Sequence, residues 1–208
     1  MKKALILFAI ALAPFATIAQ SSNGKLIAAN TAATNWGLDK SHSSVKFTVE
    51  HLVISEVEGT FKMFNGTINS TTPDFTNAKV NFTVDVNSIN TDDDKRDAHL
   101  KSDDFFNSEK FPAMSFTSTS FKKLKGNMYE LEGNLTIRDV TKKVKFAVLY
   151  GGTIKDPWGN TKAGFKASGK INRKEFGLKW GALTESGGAV VGDDVNMVIN
   201  TEFAQQKS

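Results

Sequence analysis

The chain has 208 residues, with 26 lysines and arginines against 22 aspartates and glutamates, and it contains no cysteine. The absence of cysteine excludes disulfides, a thiol nucleophile, a thiolate metal site and an acylated lipoprotein cysteine. The charge is nearly balanced once the two lysines of the N-terminal leader are set aside, which disfavours a nucleic-acid-binding protein, since such proteins usually carry a strong basic bias.

The N-terminus has the pattern of a secretory signal peptide. Lys2 and Lys3 precede an unbroken apolar run over residues 4–13, and Thr17-Ile18-Ala19 offers small residues for cleavage before Gln20. A helix that spans a membrane needs about 20 apolar residues, so the run is too short for an anchor. We therefore predict a signal peptide over residues 1–19, export to the periplasm or the medium, a flexible segment over residues 20–35 and no stable membrane insertion.

Alternating apolar and polar residues dominate the chain from Trp36 onward. Val45, Phe47 and Val49 alternate with polar neighbours, and residues 80–86 repeat the pattern. This period of two predicts strands with one apolar face. Turn formers such as Asn65-Gly66 and Asp156-Pro157 punctuate the strands. The pattern predicts one all-β domain over residues 36–204 with about eight strands, and a loop with a short helix over residues 92–107.

Periodicity leaves two architectures open. The 16 phenylalanines of the chain would fill the core of a sandwich, or they would line a closed barrel that has room for one ligand.

Motifs for catalysis or metal binding are absent from the sequence. Its three histidines have no H-x-H or H-x-x-x-H spacing. A calcium loop beginning at Asp92 would place Arg96 at a ligand position and Asp97 where glycine is needed. No G-x-S-x-G motif and no glycine-rich phosphate loop occur. The sequence therefore predicts no metal, no cofactor and no enzymatic activity.

From Trp36 to about Phe203 the chain resembles the YceI-like family of bacterial lipid-binding proteins. The order and spacing of many short segments carry the resemblance: Trp36, Asp39, His42, Ser43, Val45–Phe47, His51-Leu52, Gly59–Phe61, Ser88–Thr91, Arg96–Leu100, Ser102–Phe106, Phe111-Pro112, Gly133–Ile137, Val140–Lys142, Asn172-Arg173, Phe176–Leu178 and Val191–Asp193. Arg138-Asp139 and Lys174-Glu175 depart slightly from the family pattern.

The resemblance implies a closed antiparallel, lipocalin-like barrel with an elongated apolar interior that binds a polyisoprenoid or another long-chain lipid, often as a homodimer. On this reading, each cavity-wall residue follows the apolar parity of its strand: Phe47, Val49, Phe61, Met63, Phe82, Val84, Val86, Phe116, Leu135, Ile137, Phe146, Val148, Phe165, Ile171 and Met197. The polar candidates for contact with a lipid head group at the mouth are His42, Arg96, His99 and Arg173.

Each arginine also has a purely structural interpretation. Arg96 would pair with Asp94 or Asp97, and Arg173 would cap the turn before Phe176. The sequence leaves two rival functions open. One is an enzyme that acts on a bound lipid, which would need titratable groups inside the barrel. The other is an interaction or stress-protection scaffold, which would have a solid barrel.

Overall fold

The computed structural model describes residues 33–185 and 187–207. The predicted signal peptide and most of the predicted flexible segment lie outside these residues. The first strand begins at Thr34, two residues before the predicted start of the domain. Asn35 belongs to this strand, since its carbonyl accepts a hydrogen bond from the Gln206 amide at 2.8 Å and its side chain accepts one from Asn69 at 2.7 Å.

Ten antiparallel strands form one sheet. They are β1 (Thr34–His51), β2 (Ser55–Phe61), β3 (Phe64–Ser70), β4 (Lys79–Asp85), β5 (Ile89–Asn90), β6 (Ala113–Lys123), β7 (Met128–Ile137), β8 (Val140–Lys155), β9 (Thr161–Asn172) and β10 (Val191–Gln205). The pairing of β10 with β1 closes the sheet into a barrel. Short 3-10 helices span Val86–Ser88 and Arg173–Phe176.

The ten strands occupy eight positions around the barrel because β2 and β3 share one position and β4 and β5 share the next, with β4 paired to β3 and β5 paired to β2. The second half of β1 pairs with β2, from Val45 opposite Phe61 to His51 opposite Ser55, and its first residues pair with β3. The register between β1 and β10 shifts between Asp39 and Ser44, so β1 bends there and follows the kink between β2 and β3. The predicted closed barrel of about eight strands is confirmed, and the sandwich is excluded.

Phe75 closes one end of the barrel. It lies in the loop between β3 and β4 and is 1% exposed. Its ring centroid lies 5.1 Å from Trp36, 5.5 Å from Tyr150 and 5.1 Å from Phe165. These rings fill the space between the strand ends with offset and edge-to-face contacts, which aromatic side chains favour.

Side chains from β6 and β7 hold the Phe75 loop in place. The Tyr129 hydroxyl donates to the Asp74 carbonyl at 2.5 Å, and the Lys123 ammonium donates to the Asp74 carboxylate at 3.0 Å. The lysine holds the pKa of Asp74 well below its usual range. The loop is thus fixed at both its backbone and its side chain.

The one α-helix of the described residues, α1 (Asp94–Lys101), lies at the other end of the barrel, within the region predicted to contain a short helix. Its first turn is capped by the Asp93 carboxylate, which accepts from the amides of Lys95 and Arg96 at 3.0 Å. The buried Asp97 carboxylate accepts from the amide and the hydroxyl of Thr91 at 2.9 and 2.6 Å. Both acids therefore stabilise their own loop.

Two arginines fix the loops at this end. Arg138, in the tight turn between β7 and β8, donates to the carbonyls of Asp103, Phe105 and Gly177 at 3.1–3.4 Å and to the Asp103 carboxylate at 2.9 Å. It joins the loop after α1 to the loop after the second 3-10 helix. Arg173 joins the loop after the second 3-10 helix to the start of β10 through the carbonyls of Leu178 and Gly192. No helix of the described residues is long and apolar enough to cross a membrane.

Candidate functional site: an apolar cavity inside the barrel

The barrel encloses a cavity of about 180 Å³. All but three of the 31 residues that line it are apolar, and the exceptions are Ser115, Arg173 and Thr201. Over residues 33–185 and 187–207, no aspartate, glutamate, histidine or lysine lines the cavity. Such a surface offers no acid–base pair and favours a ligand that is itself apolar.

Thirteen of the fifteen wall residues predicted from strand parity line this cavity. They are Phe47, Val49, Phe61, Phe82, Val84, Phe116, Leu135, Ile137, Phe146, Val148, Phe165, Ile171 and Met197. The parity rule works in mid-strand because successive side chains of a strand point to opposite faces of the sheet. Whether these residues contact a ligand stays a prediction.

Met63 and Val86 are corrections, since neither lines the cavity. Met63 lies in the bend between β2 and β3, where its side chain is 61% exposed. Val86 belongs to the 3-10 helix that follows β4 and is buried there, and its amide donates to the Pro112 carbonyl at 2.8 Å. Alternation ends at the strand termini, so parity wrongly extended both strands.

Part of the lining comes from outside the strands and escaped sequence analysis. Leu100 of α1, Phe105 and Phe106 of the following loop, and Leu178 after the second 3-10 helix cover the end of the barrel opposite Phe75. Phe106 packs edge-on against Phe61, with ring centroids 6.1 Å apart. The helical segment has no apolar periodicity that would have identified these contacts.

Four cavity phenylalanines lie against glycines of a neighbouring strand. A Cβ atom placed on each glycine would come within 2.2–2.6 Å of the ring. The pairs are Phe47 with Gly59, Phe82 with Gly66, Phe116 with Gly133 and Phe146 with Gly169. Each ring occupies the space that a side chain would take on the next strand, so it lies along the wall and leaves the centre of the barrel open. A glycine at an inward position of a strand was the sequence signal for this arrangement.

Arg173 is the one head-group candidate that lines the cavity. Its guanidinium donates to the carbonyls of Gly192, Leu178 and Trp180 at 2.8, 2.7 and 2.6 Å, and makes longer contacts with Val191 and Asp193. Burial lowers the pKa of this guanidinium, but an arginine remains charged because its usual pKa is above 12. The predicted capping of the turn before Phe176 is not seen, because the Asn172 side chain caps that turn by accepting from the Lys174 amide at 3.0 Å. Arg173 instead joins the loop after Phe176 to the start of β10 and holds its positive charge at the edge of an apolar cavity.

Arg96 and His99 do not line the cavity. Arg96 donates to the hydroxyl and the carbonyl of Thr91 at 2.8 and 2.7 Å, so it braces α1 through Thr91 and not through the predicted acidic partners. The His99 ring lies edge-on against Phe105 and Trp180, each 5.1 Å away, and its Nε2 pairs with Asp104 at 2.8 Å.

His42 lies on the outer surface, where β1 shifts register. Its Nδ1 lies 3.0 Å from the Asp39 carboxylate, and Lys162 donates to Asp39 at 2.6 Å and to Glu202 at 3.0 Å. Asp39 raises the pKa of His42, and Lys162 in turn holds the pKa of Asp39 well below its usual range. One ligand atom each of Asp39, His42 and Glu202 falls within 4.8 Å of the others, but the Lys162 ammonium already supplies the positive charge between the two carboxylates.

Known proteins are similar to this chain in sequence and in architecture. The YceI-like domain matches residues 36–203. Protein YceI of Salmonella newport strain SL254 is 39% identical over 209 residues and aligns over the full length of both chains. Among solved structures, a Campylobacter jejuni YCEI protein is 34% identical with a TM-score of 0.64, covering 76% of this chain and 90% of its own.

Two more distant structures share the fold. Burkholderia cenocepacia BcnA has a TM-score of 0.69 at 21% identity, covering 79% of this chain and 98% of its own. A polyisoprenoid binding domain from Saccharophagus degradans has a TM-score of 0.59 at 14% identity, covering 82% and 98%. The matched region contains the whole barrel and its cavity, and the chain belongs to the YceI-like family.

Proposed function

We propose that this protein binds a polyisoprenoid or another long-chain lipid inside the barrel and carries, stores or sequesters it. The observation that supports the proposal is the cavity, whose lining is apolar apart from Ser115, Arg173 and Thr201. A solid scaffold barrel would have no such space. The Saccharophagus degradans neighbour, described as polyisoprenoid binding, shares the fold.

The favourable free energy of binding comes from the hydrophobic effect. An alkenyl chain in water costs about 25 cal/mol for each Å² of exposed apolar surface, and the cavity removes that surface from water. Phenylalanine supplies broad, rigid contact area, and methionine adapts to an irregular ligand. Met114 and Met197 both line the cavity.

The difference between the two ends of the barrel gives the ligand a direction. Because Phe75 closes one end, we place the tail of the lipid toward Phe165 and its head group at the end where Arg173 lies. The guanidinium hydrogen bonds are already committed to carbonyls and Asp193. Arg173 would therefore act on an anionic head group through its charge at short range.

We propose a binding protein and not an enzyme. General acid–base or nucleophilic catalysis needs titratable groups that converge on the ligand. Arg173 is the one ionisable residue among the described lining residues, and an arginine does not exchange a proton near neutral pH. The proposal includes export, for which the leader at residues 1–19 is the support, and allows a homodimer.

Mass spectrometry of an organic extract of the purified protein tests the proposal. We expect a long-chain lipid in near-stoichiometric amount, and we expect the stripped protein to take up a polyprenyl probe again. Conversion of the probe on incubation would favour the enzyme. A protein that carries no lipid and takes none up would favour the scaffold.

A further inference from the structure

Apolar side chains are exposed at the end of the barrel opposite Phe75. In the tight turn between β1 and β2, Val53 is 59% exposed and Ile54 is 84% exposed, and Leu52 is partly exposed. In the loop before β10, Leu183 is 74% exposed. We call these four residues the mouth patch. Exposed apolar groups that cluster on a protein surface commonly mark an interaction site.

The turn that carries the patch is strained. Leu52 and Val53 adopt left-handed backbone angles, with φ of 55° and 65°, and the Ile54 amide donates to the His51 carbonyl at 3.2 Å. Two-residue turns of this type usually contain asparagine and glycine, and a positive φ is rare for a β-branched residue. Costly backbone geometry that is kept at exposed apolar residues motivates a functional hypothesis for this turn.

The two loops of the patch lie side by side at the end of the barrel opposite Phe75. The Leu52 amide donates to the Val190 carbonyl at 3.0 Å, and a Cβ on Gly188 would lie 3.4 Å from Val53. Val49, three residues before Leu52, and Val191, which follows Val190, both line the cavity. The patch therefore lies within a few residues of the cavity lining on both β1 and β10.

The charged residues of the two loops that carry the patch indicate which type of partner is disfavoured. Segments 50–56 and 181–190 contain Glu50, Glu56 and Glu185 but no lysine or arginine. An anionic surface would be repelled by these carboxylates. A second copy of the chain would find four apolar side chains, whereas a stable protein interface uses about 20 residues a side.

We propose that the mouth patch inserts into a zwitterionic lipid surface, so that the lipid enters the cavity without crossing water. This inference rests on the proposed function, because it identifies the surface from which the same cavity is loaded. Insertion would place Ile54 and Leu183 among acyl chains and leave the three glutamates near the head groups. Such binding is driven by apolar burial and gains nothing from cationic contacts.

Flotation with vesicles of phosphatidylcholine and phosphatidylethanolamine tests the inference. We expect the full mature protein to float with these vesicles, and high salt should not release it. Adding phosphatidylglycerol should weaken binding. Ile54→Ser and Leu183→Ser should each weaken it by about tenfold, since each removes most of one aliphatic side chain from the apolar contact.

Trp158→Ser is the matched control. Trp158 is also 84% exposed but lies in the β8–β9 turn at the end closed by Phe75, where Gly159 takes the left-handed conformation without strain. Its variant should bind vesicles like the wild type. Weakening by Trp158→Ser but not by Ile54→Ser, release by salt, or no flotation of the wild type would each overturn the inference. So would a wild-type dimer that Ile54→Ser converts to a monomer.

The lipid content of the same samples separates the two proposals. A wild-type protein that carries lipid but does not float contradicts the mouth patch alone. A wild-type protein that carries no lipid and takes up no polyprenyl probe contradicts the cavity function, whatever the vesicles show. Serine variants that keep their melting temperature and their pre-bound lipid would show that only the docking step has been changed.

Discussion

Alanine at Gly59 should narrow the cavity without unfolding the barrel. A Cβ at this position would lie 2.2, 2.6 and 2.9 Å from three carbon atoms of the Phe47 ring, which are its nearest neighbours. Carbon atoms in contact lie about 3.5–4.0 Å apart. The ring must therefore retreat by roughly 1.5 Å, and the available space is the cavity that Phe47 lines.

The effects of this change on stability nearly cancel. Alanine in place of a glycine with ordinary backbone angles gains about 0.4–1 kcal/mol through the unfolded state, and an off-rotamer ring costs about 0.5–1.5 kcal/mol. The free energy of unfolding should change by less than about 1 kcal/mol. If the displaced ring excludes two methylene groups of the ligand, at about 0.8 kcal/mol each, affinity falls roughly tenfold.

Urea unfolding and titration of the stripped protein with a fluorescent polyprenyl probe measure the two quantities. Gly164→Ala is the control, because a Cβ at Gly164 meets no atom within 4 Å. The double variant Gly59→Ala with Phe47→Leu should bind more tightly than Gly59→Ala alone, since leucine is shorter than phenylalanine. Unchanged affinity in Gly59→Ala would refute the reasoning, as would a loss of stability above about 3 kcal/mol, which would show that the ring has no free space.

Three further changes test other parts of the molecule. Phe75→Ala should cost about 3–5 kcal/mol in urea unfolding, because the ring is fully buried at the closed end; a cost below 1 kcal/mol would contradict its closing role. Val84→Trp should remain folded but lose or shorten its bound lipid in mass spectrometry; strong destabilisation with no lipid in either protein would indicate a solid core. Asp39→Asn should lower the pKa of His42 in an NMR titration, because Asp39 is its main cause of elevation. With the pKa raised in the folded state, protonated His42 stabilises the wild type below pH 6.5, and this contribution is lost as the pH rises through the folded pKa. An unchanged His42 pKa would exclude the ion pair.

Alternation of apolar and polar residues within each strand was sufficient to predict most of the cavity-wall residues, because the inward side chains of a strand depend only on that strand's own pattern. Val84 in β4 and Phe146 in β8 follow this rule. It failed at Met63 and Val86, where the chain leaves the strand and side-chain direction no longer follows parity. The Asp39–Lys162 pair shows a second limit, since its partners are 123 positions apart and only barrel closure brings β1 and β9 to the same outer surface.

Hollow and solid barrels have the same periodicity, so alternation does not distinguish them. The two kinds of barrel differ in the size of the residue that lies beside each large inward side chain on the neighbouring strand. If Gly59 and Gly169 carried side chains, these would clash with the rings of Phe47 and Phe146, and each ring would have to shift into the cavity that it lines. With glycine at these positions, the same rings lie along the wall, and the space they leave becomes the cavity. The number of phenylalanines therefore does not predict the volume of the cavity. The inward glycines beside them do, because they decide whether the rings lie along the wall or fill the space for a ligand.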